Sequence, residues 1–371
     1  MTTTDFSQAN MQQLKRAKVV DDLPQRLQAW FRAKVAHAHD LVLASIDRSS
    51  GAAGMSAEIF IVTARWSDGR TGEACQRKFV VRAEINAPTN ATANANHMIA
   101  TLKILGRQTD LPVPKMYWAE HDRGVLGGPF CVMEFLEGIV APDSPPFTAR
   151  GWVFDGTPEQ RRRMYRSGIR FLTRLHQLDW EALGLDYLLR TEQGSSQTAW
   201  QLNHAIALYD SAVEGKRGEV EDSAIRWLQS HLPTDEHLRV AWIDSRPGNI
   251  LWRNFELSGA LDWEMVTLLN PAYDVSLWLY ADYNFAEGAG IKRLPGMMQR
   301  DEFIETYEDL AGTRLHDYAF FEVFSAFRSH AIVANMIAIW ERGGQHLYGE
   351  GITVHNCPTL NSFREIASRQ V

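Results

Sequence analysis

Two carboxylates and an amide, Asp244, Asn249 and Asp262, constrain this chain more than any other feature. They stand in Trp242-Ile-Asp-Ser-Arg-Pro-Gly-Asn-Ile-Leu-Trp252 and Gly259-Ala-Leu-Asp-Trp-Glu264. An acid, four residues, an amide, a short apolar run and a second acid is the pattern that phosphoryl transfer from a metal–nucleotide complex asks for. The first acid orients an attacking hydroxyl and takes its proton. The amide and the second acid hold Mg²⁺ against the phosphates. Little covalent chemistry is left for the protein, so positioned charge does most of the work. Each residue has an ordinary alternative: Asp244 a turn or cap, Asn249 a turn amide after Gly248. For all three together the ordinary reading needs three coincidences, so the catalytic one is the expectation.

The two stretches resemble the aminoglycoside phosphotransferase and choline kinase-like family. Pro247-Gly-Asn-Ile-Leu251 and Asp262-Trp-Glu264 carry the likeness, which runs from about Gly51 to Phe327. Its nearest branch is bacterial phosphotransferases related to kinase domains fused to acyl-CoA dehydrogenases. The resemblance implies an α+β, protein-kinase-like two-lobed fold, with a small antiparallel-sheet N-lobe and a mainly helical C-lobe. It divides the chain into an N-terminal extension (1–24), an ATP-binding N-lobe (25–136) and a C-lobe (137–371) for catalysis and the acceptor. ATP, Mg²⁺ and a small-molecule hydroxyl acceptor are the ligands it implies. Asp244 is then the catalytic acid, and Asn249 and Asp262 the metal ligands. Arg246 is a candidate for steadying the transferred phosphoryl group, with a surface ion pair as an equal alternative. Asp274, in Asn270-Pro-Ala-Tyr-Asp274, fits a structural acid of the family and reads as a helix cap.

Further candidates lie upstream. Ser50-Gly-Ala-Ala-Gly-Met-Ser-Ala57 precedes a strand pattern, so Gly54 can bring backbone close to phosphate and Ser56 can donate a hydroxyl. It is neither a dinucleotide fingerprint nor a Walker-type loop. Arg82, in Phe79-Val-Val-Arg-Ala83, sits where this fold places a phosphate-gripping Lys, and its planar fork suits phosphate oxygens. Val132-Met-Glu-Phe-Leu-Glu-Gly138 resembles the family hinge. There the Glu134 carbonyl and Leu136 amide have the spacing to pair with adenine, over an apolar floor of Leu251 and Leu261.

The chain departs from the family pattern twice. Residues 91–109, the helix expected to carry an acid for Arg82, contain no Asp or Glu. The His-Gly that precedes the catalytic acid is Trp242-Ile243 here, which predicts a loop that forms with weaker backing. These departures motivate a second class of function, a nucleotide-binding protein with little or no catalysis. Phosphorylation of a protein fits less well, because no activation segment is recognisable after Asp262.

Bulk properties exclude several classes. In 371 residues the hydrophobic share is 45% and the charged share 22%, ordinary for a globular chain long enough for two lobes. A net charge of −7 argues against nucleic-acid binding. Arg161, Arg162, Arg163, Arg166, Arg170 and Arg174 recur at helical spacing and read as a solvated face. Cys75, Cys131 and Cys357 are sparse and fit a reducing cytoplasm. Residues 1–20 hold no apolar core region and no cleavage signature, so secretion is not expected, and the apolar stretch Ala331–Trp340 is too short to cross a membrane. No zinc spacing or nucleophile-elbow motif is present.

Apolar periodicity predicts a helix over 22–45, a loop over 46–54, and strands over 57–64 and 78–83. A helix over 92–105 and strands over 115–119 and 130–135 follow. Beyond the Pro-rich connection 141–147, Thr157-Pro-Glu-Gln160 marks a helix start. Further helices are predicted over 197–213, 220–230, 301–310 and 318–342. The acceptor itself is not legible. A polycationic antibiotic would want dense acid, and no such run is present, so a hydroxylated metabolite or hydroxyacyl thioester is favoured over an aminoglycoside.

Overall fold

The computed structural model describes residues 22–48, 57–84, 91–190, 196–346 and 348–370. Two compact units divide these described residues: those from 22 to 137 with Gly259–Glu264, and the remainder. Residues Gly259–Glu264 therefore group with the N-terminal unit, unlike the residues on either side of them in sequence.

The N-terminal unit is built on a five-stranded antiparallel sheet. Its elements are α1 (Leu23–Lys34), β1 (Ala38–Arg48), β2 (Glu58–Asp68), β3 (Ala74–Ala83), α2 (Ala91–Gln108), β4 (Met116–Glu120), a turn of helix α3 (Arg123–Leu126) and β5 (Phe130–Glu134). The strand order is β1-β2-β3-β5-β4. The helix expected over 22–45 ends eleven residues early, at Lys34, and its second half is β1. Val35 leaves the helix in extended conformation, and residues 38–48 pair with β2 through two register shifts. Asp40, at φ 54°, sits within the first shift. Short apolar runs are ambiguous between helix and strand, and ladder pairing decided this one.

Period-2 alternation sorts the sheet's side chains by face. Phe60, Val62, Phe79, Val81, Phe130 and Val132 join Leu27, Trp30 and Phe31 of α1 in one buried cluster. Trp30 packs edge-on against Phe31, Trp118 and Phe130. Arg82 has Cys131 as its partner on β5, on the opposite face from that cluster. The Cys131 thiol is buried, and burial pushes its pKa up to about 12, which makes it an inert side chain.

The second unit is mainly helical. It holds α4 (Trp152–Asp155), α5 (Pro158–His176), α6 (Gln197–Ala212), α7 (Glu219–Ser230), β6 (Arg239–Ala241), β7 (Ile250–Arg253), β8 (Glu256–Ala260), β9 (Thr267–Leu269), α8 (Ala272–Asn284), α9 (Arg300–Ala311), α10 (Tyr318–Arg342) and α11 (Pro358–Ala367). The last residues of β8, Gly259 and Ala260, belong to the first unit. The start of α5 is the capping box read from sequence. Thr157 Oγ1 accepts from the Gln160 amide (3.2 Å), Gln160 Oε1 accepts from the Thr157 amide (2.8 Å), and Pro158 opens the helix.

The arginine row of α5 is a solvated face in part only. Arg163, Arg166, Arg170 and Arg174 are exposed. Arg161 is buried, and its guanidinium donates to the carbonyls of Pro295, Val153, Phe154 and Gly156, which replace the water it gave up. The last residue of α5 is His176, also buried.

The core is built around α10, where Phe320, Phe321, Phe324 and Phe327 pack with residues of α6, α8 and α11. This 25-residue helix is long and apolar enough to cross a membrane, and 61% of its most apolar window is buried inside the protein. The apolar stretch is thus longer than the sequence suggests, and the fold's own interior covers most of it. A carboxylate lies in the same unit: Asp282, 0% exposed, accepts from the Tyr165 hydroxyl, and its Oδ1 has no hydrogen-bond partner among the described residues. Burial pushes its pKa up to about 7, against the pull of Arg293, 3.8 Å away, and of Tyr165.

A folded-state pKa above the ordinary value means that the fold keeps a proton the unfolded chain releases. The stabilisation is complete below about pH 4 and lost as pH rises through about 7. Melting temperature is therefore expected to fall between pH 5 and pH 8, and Asp282→Asn to flatten that fall. Equal slopes in the two proteins would exclude Asp282 as the cause.

Candidate active site

Asp244 is presented by a loop between β6 and a single 3₁₀ turn, Pro247–Asn249. Several bonds fix this loop. The Asn249 amide Nδ2 donates to the Asp244 carbonyl (3.0 Å), and the Asn249 backbone N–H donates to the Arg246 carbonyl (3.0 Å). Trp252 Nε1 donates to the Pro247 carbonyl (3.1 Å). A Cβ at Gly248 would lie 2.6 Å from Arg246 Nη1 and 2.7 Å from Asp143 Oδ1, so a side chain there would displace the tips of that ion pair.

Ile243, immediately before Asp244, has φ 68°. A β-branched residue is strained in the left-handed region, and the surroundings must hold it there. Two things do. The Ile243 side chain is 1% exposed and belongs to the main core cluster. Its backbone N–H donates to Asp274 Oδ1 (2.8 Å), while that of Trp242 donates to Asp274 Oδ2 (2.7 Å). The Asp274 backbone carbonyl accepts from Ser245 Oγ (2.7 Å). Asp274 is 0% exposed, and His176 Nε2 lies 3.1 Å from its Oδ2, with Tyr307 on the other imidazole nitrogen at 2.7 Å.

Asp274 is therefore no helix cap, although it stands in the first turn of α8. Pro271 occupies the cap position, with no side-chain bond, and the Asp274 carboxylate is committed to the loop that presents Asp244. This anchoring acts on the backbone of residues 242 and 243, so it does not depend on a histidine at 242. Trp242 is fully buried and packs edge-on against Phe171.

Arg246 lies beside Asp244, Nε to Oδ1 3.2 Å, and its Nη1 is 2.5 Å from Asp143 Oδ2. Nothing in the residue pattern singles out Asp143, which lies in the Pro-rich connection. Ile139 and Trp252 exchange both backbone hydrogen bonds (3.1 and 2.9 Å), which ties the segment after the hinge to β7. Gly138 is needed there, because a Cβ would meet Leu251 Cβ at 2.8 Å.

In the N-terminal unit, Arg82 is 10% exposed and is held by two acids, Glu84 (3.1 Å) and Glu264. The acid missing from α2 is thus supplied elsewhere. Glu84 lies two residues on, which in an extended chain is the same face. Glu264 comes from the Asp262-Trp-Glu stretch. Burial raises the Glu84 pKa, with Arg82 pulling it down. The Leu136 backbone N–H, assigned to adenine, makes no hydrogen bond among the described residues. Glu134 is at the end of β5, where its amide donates to the Lys115 carbonyl (2.8 Å) and its carboxylate accepts from the Lys115 amide (3.3 Å).

Asp262 is exposed and left-handed (φ 57°), a conformation Asp tolerates better than most residues. Trp263 is buried behind it and donates to the Ala260 carbonyl (2.9 Å). Gly54 and Ser56 lie outside the described residues.

Among the described residues no group of three or more His, Cys, Asp or Glu side chains gathers to hold a metal. A nucleotide-borne Mg²⁺ needs less, because phosphates and water supply most of its oxygens. Asn249 suits such an ion, since its Nδ2 is spent on Asp244, which leaves the amide oxygen as a hard donor. The Asp262 carboxylate is of the same chemistry.

The chain is 27% identical over 293 residues to "Probable acyl-CoA dehydrogenase IBR3" of Arabidopsis thaliana, covering 72% of this chain and 34% of that protein. It thus spans about a third of the plant relative's length. A Ralstonia eutropha protein named "putative aminoglycoside phosphotransferase" superposes with a TM-score of 0.69 at 22% identity, over 93% of this chain and 98% of that one. The GDP and kanamycin complex of an APH(2'') enzyme superposes with a TM-score of 0.59 at 12% identity, over 93% and 99%. At these identities both structural likenesses are of fold, and they agree with the kinase-like α+β architecture. The family described as "Phosphotransferase enzyme family" matches residues 68–318, and the chain belongs to it.

Proposed function

We propose that this protein transfers the γ-phosphoryl group of ATP to a hydroxyl of a small molecule. The observation that carries the reading is the catalytic loop. A buried carboxylate, Asp274, fastens the backbone on one side of Asp244, and the Asn249 amide fastens it on the other. So many bonds spent on holding one partly exposed acid are what a positioned general base requires.

In this reading Asp244 hydrogen-bonds the acceptor hydroxyl and takes its proton as the oxygen attacks the terminal phosphorus, and ADP leaves. Arg246 steadies the charge on the phosphoryl oxygens, with Asp143 fixing its direction. Arg82, set by Glu84 and Glu264, grips the phosphates nearer the base. The Leu136 amide and Glu134 carbonyl pair with adenine, and Leu251 gives the base an apolar floor. Asn249 and Asp262 would hold Mg²⁺, which supplies positive charge against the phosphates. ATP binding is thus assigned to residues 25–136 and the acceptor to 137–371. A fold neighbour solved with GDP and kanamycin supports binding of a nucleotide and a small molecule. A relative named for acyl-CoA dehydrogenation supports a hydroxylated metabolite or hydroxyacyl thioester over an aminoglycoside. Three cysteines without a disulfide agree with a cytoplasmic setting.

The non-catalytic alternative drew its motive from an Arg82 without a helix acid and from Trp242-Ile243 in place of His-Gly. Glu84 and Glu264 answer the first motive, and the Asp274 bonds to the 242 and 243 amides speak against the second.

The test is Mg²⁺-dependent ADP release, with ATP and with GTP, across aminoglycosides, amino alcohols, sugars, and hydroxy acids with their thioesters. Acceptor-stimulated release is expected. Nucleotide binding with no stimulation by any compound would favour the non-catalytic alternative. Arg82→Met is expected to weaken nucleotide binding about 10- to 100-fold, the worth of one charged hydrogen bond of about 1.5–3 kcal/mol. Arg82→Lys should recover part of it. Unchanged binding by titration calorimetry would remove Arg82 from the site.

A further inference from the structure

Arg328, on α10, is 7% exposed, yet no carboxylate of the described residues pairs with it. Its guanidinium donates to the Tyr273 hydroxyl (3.1 Å) and to Met265 Sδ (3.5 Å), a weak acceptor. Buried charges are ordinarily paired, because leaving water without a counter-charge is costly. Arg82 has two acids and Arg293 has Glu287 and Asp282. Among the described residues Arg161 has no acid either, but four carbonyls surround its guanidinium, whereas Arg328 meets only a hydroxyl and a thioether.

The surroundings of Arg328 point to the same region as the catalytic loop. Burial raises the pKa of Tyr273, Arg328 lowers it, and the charges of Asp274 and Asp244 raise it. The hydroxyl that receives Arg328 is therefore within electrostatic reach of the catalytic acid. Met265 follows Glu264 directly. On α6 the rings of Trp200 and His204 stack, with centroids 5.3 Å apart, and the Arg190 guanidinium lies 5.6 Å above the Trp200 ring. The His204 pKa is lowered by partial burial first, then by the positive charges of Arg328 and Arg190. Geometry joins these parts: Tyr273 immediately precedes Asp274, whose carboxylate holds the Trp242 and Ile243 amides, and Gln201 of α6 donates to Thr267 Oγ1, two residues after Met265.

We propose that Arg328 binds an anionic group, a carboxylate or a phosphate, of the molecule whose hydroxyl Asp244 activates, with Arg190 and the Trp200–His204 pair forming the wall beside it. The proposal rests on the phosphotransferase reading and narrows its acceptor to a small hydroxylated anion. A guanidinium fork matches either oxyanion through two parallel hydrogen bonds. The same charge repels a polycationic amino sugar.

The test is titration calorimetry in the presence of Mg²⁺ and a non-hydrolysable ATP analogue. The probes are 3-hydroxybutyrate and glycerol 3-phosphate, with 1,3-butanediol and glycerol as their neutral counterparts. At least one anion is expected to bind about tenfold or more tightly than its neutral twin, the worth of a charged hydrogen bond. Arg328→Gln should abolish the difference while the nucleotide analogue binds as before. Preference for 3-hydroxybutyrate would identify a carboxylate, and preference for glycerol 3-phosphate a phosphate. Anions that bind no better than the neutral twins, or not at all, would overturn the proposal, as would an Arg328→Gln protein with wild-type preference. Where Arg328→Gln does not fold, Arg328→Lys, which keeps the charge but not the fork, is expected to reduce the preference, and an unchanged preference would overturn the proposal. Failure of the wild type to bind the nucleotide analogue would instead count against the phosphotransferase reading, independently of the anion result.

Discussion

Asp244→Asn is expected to lower acceptor-stimulated ADP release about 10²- to 10⁴-fold, the usual share of a positioned general base. The asparagine has nearly the same shape and can still accept from Arg246 Nε, which lies 3.2 Å from Asp244 Oδ1. Asn249 Nδ2 bonds to the backbone carbonyl of residue 244, which the substitution leaves in place. The loop and the oxygen donors for magnesium should therefore survive, and Mg²⁺·nucleotide affinity should change little. The melting temperature should hold, because the Asp244 side chain is partly exposed, and such substitutions usually stay within about 0.5 kcal/mol. The informative result is this separation: lost turnover with binding and stability retained. Equal turnover in mutant and wild type would mean that another group takes the proton. Loss of nucleotide binding along with turnover would mean that Asp244 acts chiefly in holding the nucleotide complex.

The second large effect is expected at Asp274, and it is one of stability before catalysis. Its carboxylate accepts the backbone N–H groups of Trp242 and Ile243 and faces His176 Nε2, all within the interior. Asp274→Ala leaves these donors without an acceptor and out of reach of water. Each such group costs about 1–3 kcal/mol, so the total should be about 3–5 kcal/mol, or a fall in melting temperature on the order of 10 °C. The strained backbone at Ile243 also loses its tether, and Asp244 its position. Asp274→Asn retains one acceptor oxygen but turns an NH₂ toward a second N–H. It should lie between alanine and wild type in both melting temperature and turnover. An alanine variant that melts like the wild type would show that the catalytic loop is held by its apolar packing alone.

Much of the site is legible in the chain because its chemistry is local in sequence. Asn249 follows Asp244 closely enough for one 3₁₀ turn to join them, and Pro247-Gly248 writes that turn in residue types. The capping box of α5 and the full extent of α10 are legible for the same reason: caps and periodicity are short-range signals. What misleads depends on partners distant in the chain. β1 reads as helix because only its ladder to β2 makes it a strand. Asp274 reads as a cap because nothing near it in sequence shows the two amides 31 and 32 residues upstream that claim it. Arg161 falls in a row that reads as solvated, yet carbonyls as far away as Pro295 enclose it. The partners of Arg82 illustrate both cases. Glu84 follows from strand alternation and is open to being found, whereas Glu264 stands 182 residues away.

The sequence by itself pointed to the phosphotransferase family and to the residues proposed to carry its chemistry. Phosphoryl transfer needs a few oxygen donors at fixed spacing, and such spacing is written along the chain. Only the tertiary structure decided how those residues are held: Asp274 beneath a strained Ile243, two acids on Arg82, and a buried Arg328 whose guanidinium meets a tyrosine hydroxyl in place of a carboxylate. The physical reason is that burial and pairing are properties of distance in space. A buried carboxylate or guanidinium takes its role from whichever donors and acceptors the fold delivers to it, and residue order alone does not rank those deliveries.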